Sequence, residues 1–175
     1  MNLALIGLRG AGKSAIGRLV AERTGREFID LDDFTPQILG SLSVRDAWTA
    51  YGEESFRRAE TVALAKALSG EGCIVALGGG TPTAPLVPDL IEHERASGRL
   101  VVVYLAASAE TLRSRLKKSD NIHRPSLTGK DPLDEIEDVL AARDPLYRRI
   151  ADAVIETDEL DSDVVVARVS SLLGG

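Results

Sequence analysis

One short segment constrains the fold of this chain more than any other. Residues 7–14, Gly-Leu-Arg-Gly-Ala-Gly-Lys-Ser, match the pattern GxxxxGK(S/T) at every defined position. An apolar run, LALIGL at 3–8, leads into the segment, and a helical pattern follows it. Strand, glycine-rich loop and helix in this order are the context that a phosphate-binding loop requires. A chance glycine-rich turn is the alternative, but the complete pattern favours a nucleoside triphosphate site.

The chemistry of this loop follows from its residue types. Glycines let backbone N–H groups approach phosphate oxygens, and the helix amino terminus adds partial positive charge. Lys13 is predicted to reach the β- and γ-phosphates of a nucleoside triphosphate, and the Ser14 hydroxyl to ligate Mg²⁺. The residues expected at the phosphates are Gly10, Ala11, Gly12, Lys13, Ser14 and Ala15.

Apolar runs alternate with helical patterns along the rest of the chain. Because the runs are continuous rather than alternating, they predict strands that are buried on both faces. The predicted strands are 3–8, 27–30, 73–77, 100–105 and 153–156. The predicted helices are 14–23, 52–68, 109–117, 133–150 and 162–173. This order predicts an α/β fold with a parallel sheet that is covered on both sides.

Two segments depart from the simple repeat. Residues 31–52 are predicted to form extra short helices after the second strand. Residues 118–132 are polar, with two prolines and a glycine, and predict a long exposed loop. Long loops in compact domains usually form lids or binding loops.

Composition excludes several classes of protein. A length of 175 residues predicts one domain, 1–175. Lys and Arg number 21 against 27 Asp and Glu, and the net charge of −6 argues against a nucleic-acid partner. The single cysteine, Cys73, excludes an internal disulfide and fits a reducing compartment. No long apolar run or signal peptide is present, so we expect a cytoplasmic protein with no membrane partner.

The kind of nucleotide-binding protein follows by elimination. The NKxD and DxxG motifs that a GTPase needs are absent from the chain. A mechanical ATPase usually ends a strand in Asp-Glu, whereas the strands here end in residues 78–80, all glycine, and in Ala106-Ala107. The remaining class is a small-molecule kinase, which needs an acceptor pocket, a base and a closing lid.

Two carboxylates close the second predicted strand. Asp30 and Asp32 are two residues apart, so on a strand both side chains face the same side. They would then emerge at the carboxyl end of the sheet, where α/β proteins bind ligands. One carboxylate near the metal and one near an acceptor hydroxyl suit phosphoryl transfer. The alternative is capping of the next helix, for which Asp33 is the better candidate.

Two arginines lie on helix faces that are otherwise apolar. Arg57 has Glu60 three residues later to hold its guanidinium. Arg143 shares a stripe with Ile136, Leu140 and Tyr147. An inward guanidinium needs an anionic partner and pairs well with a carboxylate, so the acceptor is predicted to carry an anion. The alternative is an arginine that snorkels or meets a structural carboxylate.

Three further features complete the candidate site. Residues Gly78, Gly79 and Gly80 would let a ligand approach the backbone, although a plain tight turn would also explain them. Arg124 in the polar loop is placed to neutralise charge on the transferring phosphoryl group. Arg113 and Arg115 precede this loop and either contact the nucleotide or belong to a solvated face.

Together these segments resemble the shikimate kinase family. The matching segments, in family order, are GLRGAGKS (7–14), DLD (30–32), FRRAE (56–60), GGG (78–80), RP (124–125) and RDPLYRR (143–149). The resemblance implies ATP-dependent phosphorylation of the 3-hydroxyl of shikimate on the route to chorismate. It also implies a three-layer fold with a five-stranded parallel sheet in the order 2-3-1-4-5. The resemblance further implies an acceptor-binding region at about 31–60 and a lid at about 116–130.

The resemblance also implies residue roles. Lys13 would bind phosphate, while Ser14 and, through water, Asp30 would hold Mg²⁺. Asp32 would bond the acceptor hydroxyl and act as the base, and Arg124 would be the lid arginine. The acceptor carboxylate and its pocket would be bound by Arg57, Gly79, Gly80 and Arg143.

Departures from the family pattern leave some alternatives open. The stretch between Arg115 and Arg124 is longer than usual, so the arginine before the lid is Arg115, our choice, or Arg113. The adenine-side segment is 157–160, Thr-Asp-Glu-Leu, without the family's Arg and Pro. The expected partners are ATP and shikimate, and a monomer is expected. A gluconate-type kinase or a nucleotide-sensing module without transfer would explain fewer of these features.

Overall fold

A five-stranded parallel sheet runs through the middle of the computed structural model, which describes residues 1–118 and 133–173. The strands are β1 Asn2–Ile6, β2 Phe28–Asp30, β3 Ile74–Ala76, β4 Leu100–Ala106 and β5 Ala153–Glu156. Their order across the sheet is β2-β3-β1-β4-β5. The predicted fold class, parallel pairing and strand order are all confirmed.

Continuous apolar sequence explains the burial of the sheet. Every residue of β1 is buried, and β1 lies between β3 and β4 with Leu5 opposite Ala76 and Val103. Helices must therefore cover both of its faces. Because the chain leaves β1 on one side for β2 and β3 and later returns on the other side for β4, the carboxyl end of β1 is the switch point where such sheets bind ligands.

Seven α-helices and one 3-10 turn surround the sheet in the described residues. The helices are α1 Lys13–Thr24, α2 Leu31–Ile38, α3 Val44–Leu68, α4 Val87–Ala96, α5 Ala109–Lys117, α6 Ile136–Ile150 and α7 Ser162–Ser171. The 3-10 turn is Thr81–Thr83. Helix α1 packs with α7, while α4 contacts α3 and α6. None of the helices within 1–118 and 133–173 is long and apolar enough to span a bilayer.

The structure corrects the sequence-based boundaries at three places. The extra short helices expected in 31–52 are α2 and the first part of α3, which is kinked at Gly52. Helix α4, which buries Val87 and Ile91, was not predicted. Helix α6 begins at Ile136 rather than Leu133. Most of the predicted loop, residues 119–132, and with it Arg124 lie outside the described residues.

Candidate functional site

The phosphate-binding loop lies directly beyond β1, as its sequence predicts. Gly7 and Gly10 have φ angles of +146° and +86°, which residues with a side chain rarely adopt. A Cβ on Gly7 would also lie 2.6 Å from the Leu105 carbonyl oxygen of β4. Helix α1 begins at Lys13, so the loop opens onto the amino terminus of a helix. This geometry presents backbone N–H groups and partial positive charge to an anion.

The side chains of the loop occupy the positions that the motif requires. Lys13 is buried, and its Nζ donates to the Leu8 carbonyl oxygen at 3.0 Å. The ammonium group therefore remains within the loop. Ser14 is half-buried in the first turn of α1. Ala11 is buried and Ala15 is exposed.

The two acidic residues do not share a strand face, and this part of the sequence-based argument is wrong. Strand β2 ends at Asp30, so Asp32 lies in the first turn of α2. Asp30, rather than Asp33, caps that helix, because its Oδ1 accepts from the Asp32 N–H at 3.0 Å. Asp30 lines a groove along the outer edge of β2 beside Arg18. Asp32 instead lines the large cleft beside the phosphate loop.

Arg57 is held in the cleft by its own helix, as its sequence context predicts. Its Nη1 lies 2.8 Å from Glu60 Oε2, and its guanidinium stacks over the Trp48 ring at 5.2 Å. Glu60 is only 3% exposed and accepts a second hydrogen bond, of 2.6 Å, from the Thr81 hydroxyl. Burial raises the pKa of Glu60, against the opposing effect of the Arg57 charge. Because Nη1 contacts Glu60 and Nε lies 3.5 Å from Glu53 Oε1, Nη2 is the nitrogen of the fork that remains for a ligand.

Arg143 reaches the same cleft from a different helix, α6. It is half-buried on α6, and its Nη1 donates to the Gly79 carbonyl oxygen at 3.0 Å. The Tyr147 hydroxyl donates to the same oxygen. Ile136, Leu140 and Tyr147, which were predicted to share the stripe, are buried or half-buried.

The three consecutive glycines are required for close approach rather than for turn geometry. A Cβ on Gly80 would lie 2.1 Å from Arg57 Nη1, and one on Gly78 would lie 2.8 Å from Asp32 Oδ1. A Cβ on Gly79 would lie 3.2 Å from the backbone nitrogen of Arg9. The alternative of a plain tight turn is therefore insufficient, because each glycine allows a different part of the site to pack against it.

A single open cleft brings most of the predicted acceptor residues together. Its volume is about 760 Å³, including the solvent at its mouth. The predicted residues that line it are Asp32, Arg57, Gly78, Gly79, Gly80 and Arg143. Apolar walls come from Leu8, Val44, Trp48, Phe56, Leu116, Ile136 and Val139. Two charged residues that sequence reasoning did not assign, Arg9 and Glu135, also line it, and neither lies in a pattern that pointed to an acceptor pocket.

The two candidate arginines on α5 point to different neighbours. Arg115 donates to the Thr157 hydroxyl at 3.0 Å and to the Thr157 carbonyl oxygen at 2.7 Å. It therefore contacts the segment 157–160 that the sequence suggests for the adenine side. Arg113 donates to the Leu133 carbonyl oxygen and pairs with Glu137 at 2.9 Å. This arrangement favours Arg115 as the nucleotide arginine, which stays a prediction.

The donor atoms of the site suit a magnesium ion that is bound together with a triphosphate. Within residues 1–118 and 133–173, no group of three or more His, Cys, Asp or Glu side chains could hold a metal ion by itself. Mg²⁺ commonly takes only one or two protein ligands and completes its shell with phosphate oxygens and water. The Ser14 hydroxyl at the start of α1 fits this mode of binding.

Three comparisons with known proteins agree with this geometry. The family model described as shikimate kinase matches residues 9–173. A shikimate kinase of Symbiobacterium thermophilum is 40% identical over 173 residues, covering 99% of this chain and 96% of that protein. Shikimate kinase 2 of Yersinia enterocolitica is 40% identical over 165 residues, covering 94% and 91%. The structure of shikimate kinase from Acinetobacter baumannii in complex with shikimate matches with a TM-score of 0.85 and 32% identity, covering 98% and 92%.

Proposed function

The chain belongs to the shikimate kinase family, and we propose that the cleft beside the phosphate loop is where it phosphorylates its acceptor. The enzyme transfers the γ-phosphoryl group of ATP to the 3-hydroxyl of shikimate, giving shikimate 3-phosphate and ADP. The observation that carries the proposed site is the convergence of Asp32, Arg57 and Arg143 on one cleft that the phosphate loop borders.

We propose that Arg57 and Arg143 bind the carboxylate of shikimate. They reach the cleft from different helices and flank the Gly79–Gly80 peptide. A planar guanidinium pairs with a carboxylate through two parallel hydrogen bonds. Three arginines and three acidic residues line the cleft, so positive charge for an anionic acceptor comes from the guanidinium groups themselves and not from an excess of basic residues.

Asp32 is proposed as the base. Its carboxylate lies against Gly78 at the floor of the cleft, on the helix that follows β2. There it would accept the proton of the 3-hydroxyl as that oxygen bonds to the γ-phosphorus and the bond to ADP breaks. A carboxylate so placed also orients the hydroxyl for in-line attack.

The donor side is assigned to the loop and its flanking residues. Backbone N–H groups of 10–15 would hold the β- and γ-phosphates, and Lys13 would exchange the Leu8 carbonyl for a phosphate oxygen. Ser14 directly and Asp30 through water would hold Mg²⁺, which neutralises phosphate charge when bound. Arg115 at the nucleotide remains part of the proposal.

The proposed subregions are an acceptor-binding region at about 31–60 and a lid at about 116–130 that carries Arg124, within a single domain of 1–175. The position of Leu116 in the cleft wall supports a lid that begins there. A cytoplasmic monomer is also proposed. Cys73 is a buried free thiol, which fits a reducing compartment.

The test of this proposal is ADP release by the purified enzyme with MgATP. Shikimate should stimulate release strongly, whereas gluconate and a water-only control should not. The amide of shikimate should be a poor substrate, because it cannot pair with two guanidinium groups. Equal turnover of shikimate and its amide would overturn the proposed arginine clamp.

Arg143→Lys tests the clamp from the side of the protein. We expect the KM for shikimate to rise by about 10- to 100-fold, because an ammonium group cannot replace the planar fork. The KM for ATP should stay within twofold. A selective rise in the KM for ATP would assign Arg143 to the nucleotide instead.

A further inference from the structure

Two donors from α6 converge on one backbone acceptor, the Gly79 carbonyl oxygen. Arg143 donates through Nη1 at 3.0 Å, and the Tyr147 hydroxyl donates to the same atom. The two side chains lie one helical turn apart, on the same face of α6. Because a carbonyl oxygen has two lone pairs, it accepts both hydrogen bonds at once.

The environment of Tyr147 makes it a fixed donor. The residue is fully buried, and its ring packs against Tyr104 with the ring centroids 5.2 Å apart. The Tyr104 hydroxyl has a different partner, Asp144, at 2.9 Å. Burial raises the pKa of Tyr147 to about 12. The hydroxyl therefore keeps its proton across the physiological pH range and can donate to the Gly79 carbonyl oxygen throughout it.

Arg143, by contrast, is the donor that the acceptor can draw away from Gly79. In the proposed function its guanidinium binds the carboxylate of the acceptor, and a bidentate pair that includes Nη1 turns this nitrogen from Gly79 to the carboxylate. Gly79 is half-buried at the cleft, and once an acceptor fills the cleft and excludes water, a carbonyl without a partner is disfavoured. The second hydrogen bond, from Tyr147, keeps the Gly79 carbonyl satisfied when Arg143 turns towards the acceptor.

The orientation of this carbonyl also matters to the other arginine. The Gly79–Gly80 peptide is planar, so fixing its oxygen fixes the path of the backbone into Gly80. Gly80 packs so tightly on Arg57 that a Cβ there would lie 2.1 Å from Nη1. The peptide that Tyr147 holds is thus a spacer between the two acceptor arginines.

We propose that Tyr147 is a positioning residue for the acceptor: its hydroxyl holds the Gly79–Gly80 peptide while Arg143 exchanges Gly79 for the carboxylate of the acceptor. The proposal rests on the proposed function, because that function assigns Arg143 to the acceptor carboxylate. Tyr147 itself does not touch the acceptor, but it holds the peptide that Arg143 leaves when Arg143 binds the acceptor.

Tyr147→Phe tests the proposal, with Tyr104→Phe as the matched control. Both variants lose one hydroxyl from the same buried aromatic pair and keep the ring packing. We expect Tyr147→Phe to raise the KM for shikimate about tenfold, with kcat and the KM for ATP within twofold of the wild-type values. Tyr104→Phe should leave all three within twofold. Quenching of the single tryptophan, Trp48, gives the corresponding Kd for shikimate.

Equal effects of the two substitutions, or a parallel rise in both KM values, would overturn the role of Tyr147. A double-mutant cycle with Arg143→Lys gives a second readout. Because both side chains act on one oxygen, their effects on the KM for shikimate should not multiply independently, and independent effects would contradict the proposal. If Arg143→Lys alone leaves that KM unchanged, the proposed carboxylate clamp fails instead, so the two failures are distinguishable.

Discussion

The donor and acceptor sides of the cleft are built in opposite ways. The donor side is one continuous segment, residues 7–15, in which backbone geometry presents N–H groups to phosphate. The acceptor side combines side chains from α2, α3 and α6 with a glycine loop, and Arg143 bonds to a residue 64 positions away. One side is thus specified locally, whereas the other depends on how distant helices pack.

The two sides also differ in how their cations are held before ligands bind. Lys13 and Arg143 donate to neutral backbone carbonyls, whereas Arg57 is paired with the carboxylate of Glu60. A cationic side chain binds an anion more strongly than it binds a neutral carbonyl. A ligand anion can therefore displace the Leu8 and Gly79 carbonyls, while Arg57 keeps its carboxylate partner. The acceptor side has one fixed and one exchangeable arginine.

Asp32→Asn should have the largest effect and tests whether the two sides can be separated. We expect kcat to fall by about 10²- to 10⁴-fold, because the amide cannot accept the proton of the hydroxyl. The Kd for ATP, measured by calorimetry, should stay within twofold, since Asp32 lines the acceptor cleft. Near-normal kcat would remove Asp32 from the mechanism, and a large loss of ATP affinity would show that the sides are coupled.

Gly7→Ala and Gly80→Ala should fail in different ways. On the donor side, a Cβ on Gly7 would meet the fixed Leu105 carbonyl at a φ of +146°. We expect a loss of about 2–4 kcal/mol in the free energy of unfolding, measured in urea. On the acceptor side, a Cβ on Gly80 would displace the Arg57 guanidinium and raise the KM for shikimate by about 10- to 100-fold.

Gly70→Ala is the control for this pair. Nothing lies within 4 Å of a Cβ built at Gly70, so stability and both KM values should stay close to those of the wild type. The opposite result would be that Gly80→Ala loses stability and leaves the KM for shikimate unchanged. That result would contradict the contrast between a donor side formed by backbone geometry and an acceptor side formed by side chains.

The same contrast explains what could be predicted from the sequence. The phosphate loop and the buried strands were predicted because their signals are contiguous: a complete motif and unbroken apolar runs. The placement of Asp30 and Asp32 was wrong because strand β2 ends two residues earlier than the argument needed, so one carboxylate caps a helix and the other faces the cleft.

The arginine pair marks the limit of sequence reasoning. That Arg57 and Arg143 face inward followed from the apolar stripes of their helices. That Gly79 accepts from Arg143, and that Gly80 packs on Arg57, depends on helix packing across the sheet. Such contacts join segments far apart in the chain, and no local spacing encodes them. Glu135 and Arg9 were missed in the cleft for the same reason.

Glu60→Gln tests whether Arg57 is the fixed arginine. Loss of the buried ion pair should raise the KM for shikimate about tenfold at neutral pH and leave the KM for ATP unchanged. Glu53→Gln is the matched control, since Glu53 contacts the same guanidinium at 3.5 Å but is 63% exposed; there we expect less than a twofold change. Equal effects of the two substitutions would show that Arg57 does not depend on the buried carboxylate.

The contribution of Glu60 to folding stability changes with pH in one direction. Because burial raises its pKa above 4.5, the folded state binds the proton more tightly than the unfolded state. Its contribution to stability is therefore largest below the unfolded pKa and is lost as pH rises through the folded pKa. Unfolding of the wild type and of Glu60→Gln, compared from pH 4.5 upwards, should show this loss only in the wild type.

Asp158→Asn should have the smallest effect, because it tests an exposed contact at the far end of the donor side. The Asp158 carboxylate accepts from the N–H of Ser108 at 2.9 Å and from its hydroxyl at 2.8 Å, at the start of the helix that carries Arg115.

A hydrogen bond from Thr111, followed by those from Ser108, lowers the pKa of Asp158. The stabilisation is therefore present above the unfolded pKa and is lost as pH falls through the lowered folded value. Solvent screening limits it to about 0.5 kcal/mol. Urea unfolding should show a larger difference from the wild type at pH 7 than at pH 3, and Glu159→Gln should show none. A loss of ATP affinity greater than about twofold, or 0.4 kcal/mol, would mean that this contact positions Arg115 for the nucleotide, and the donor side would then also depend on packing between distant segments.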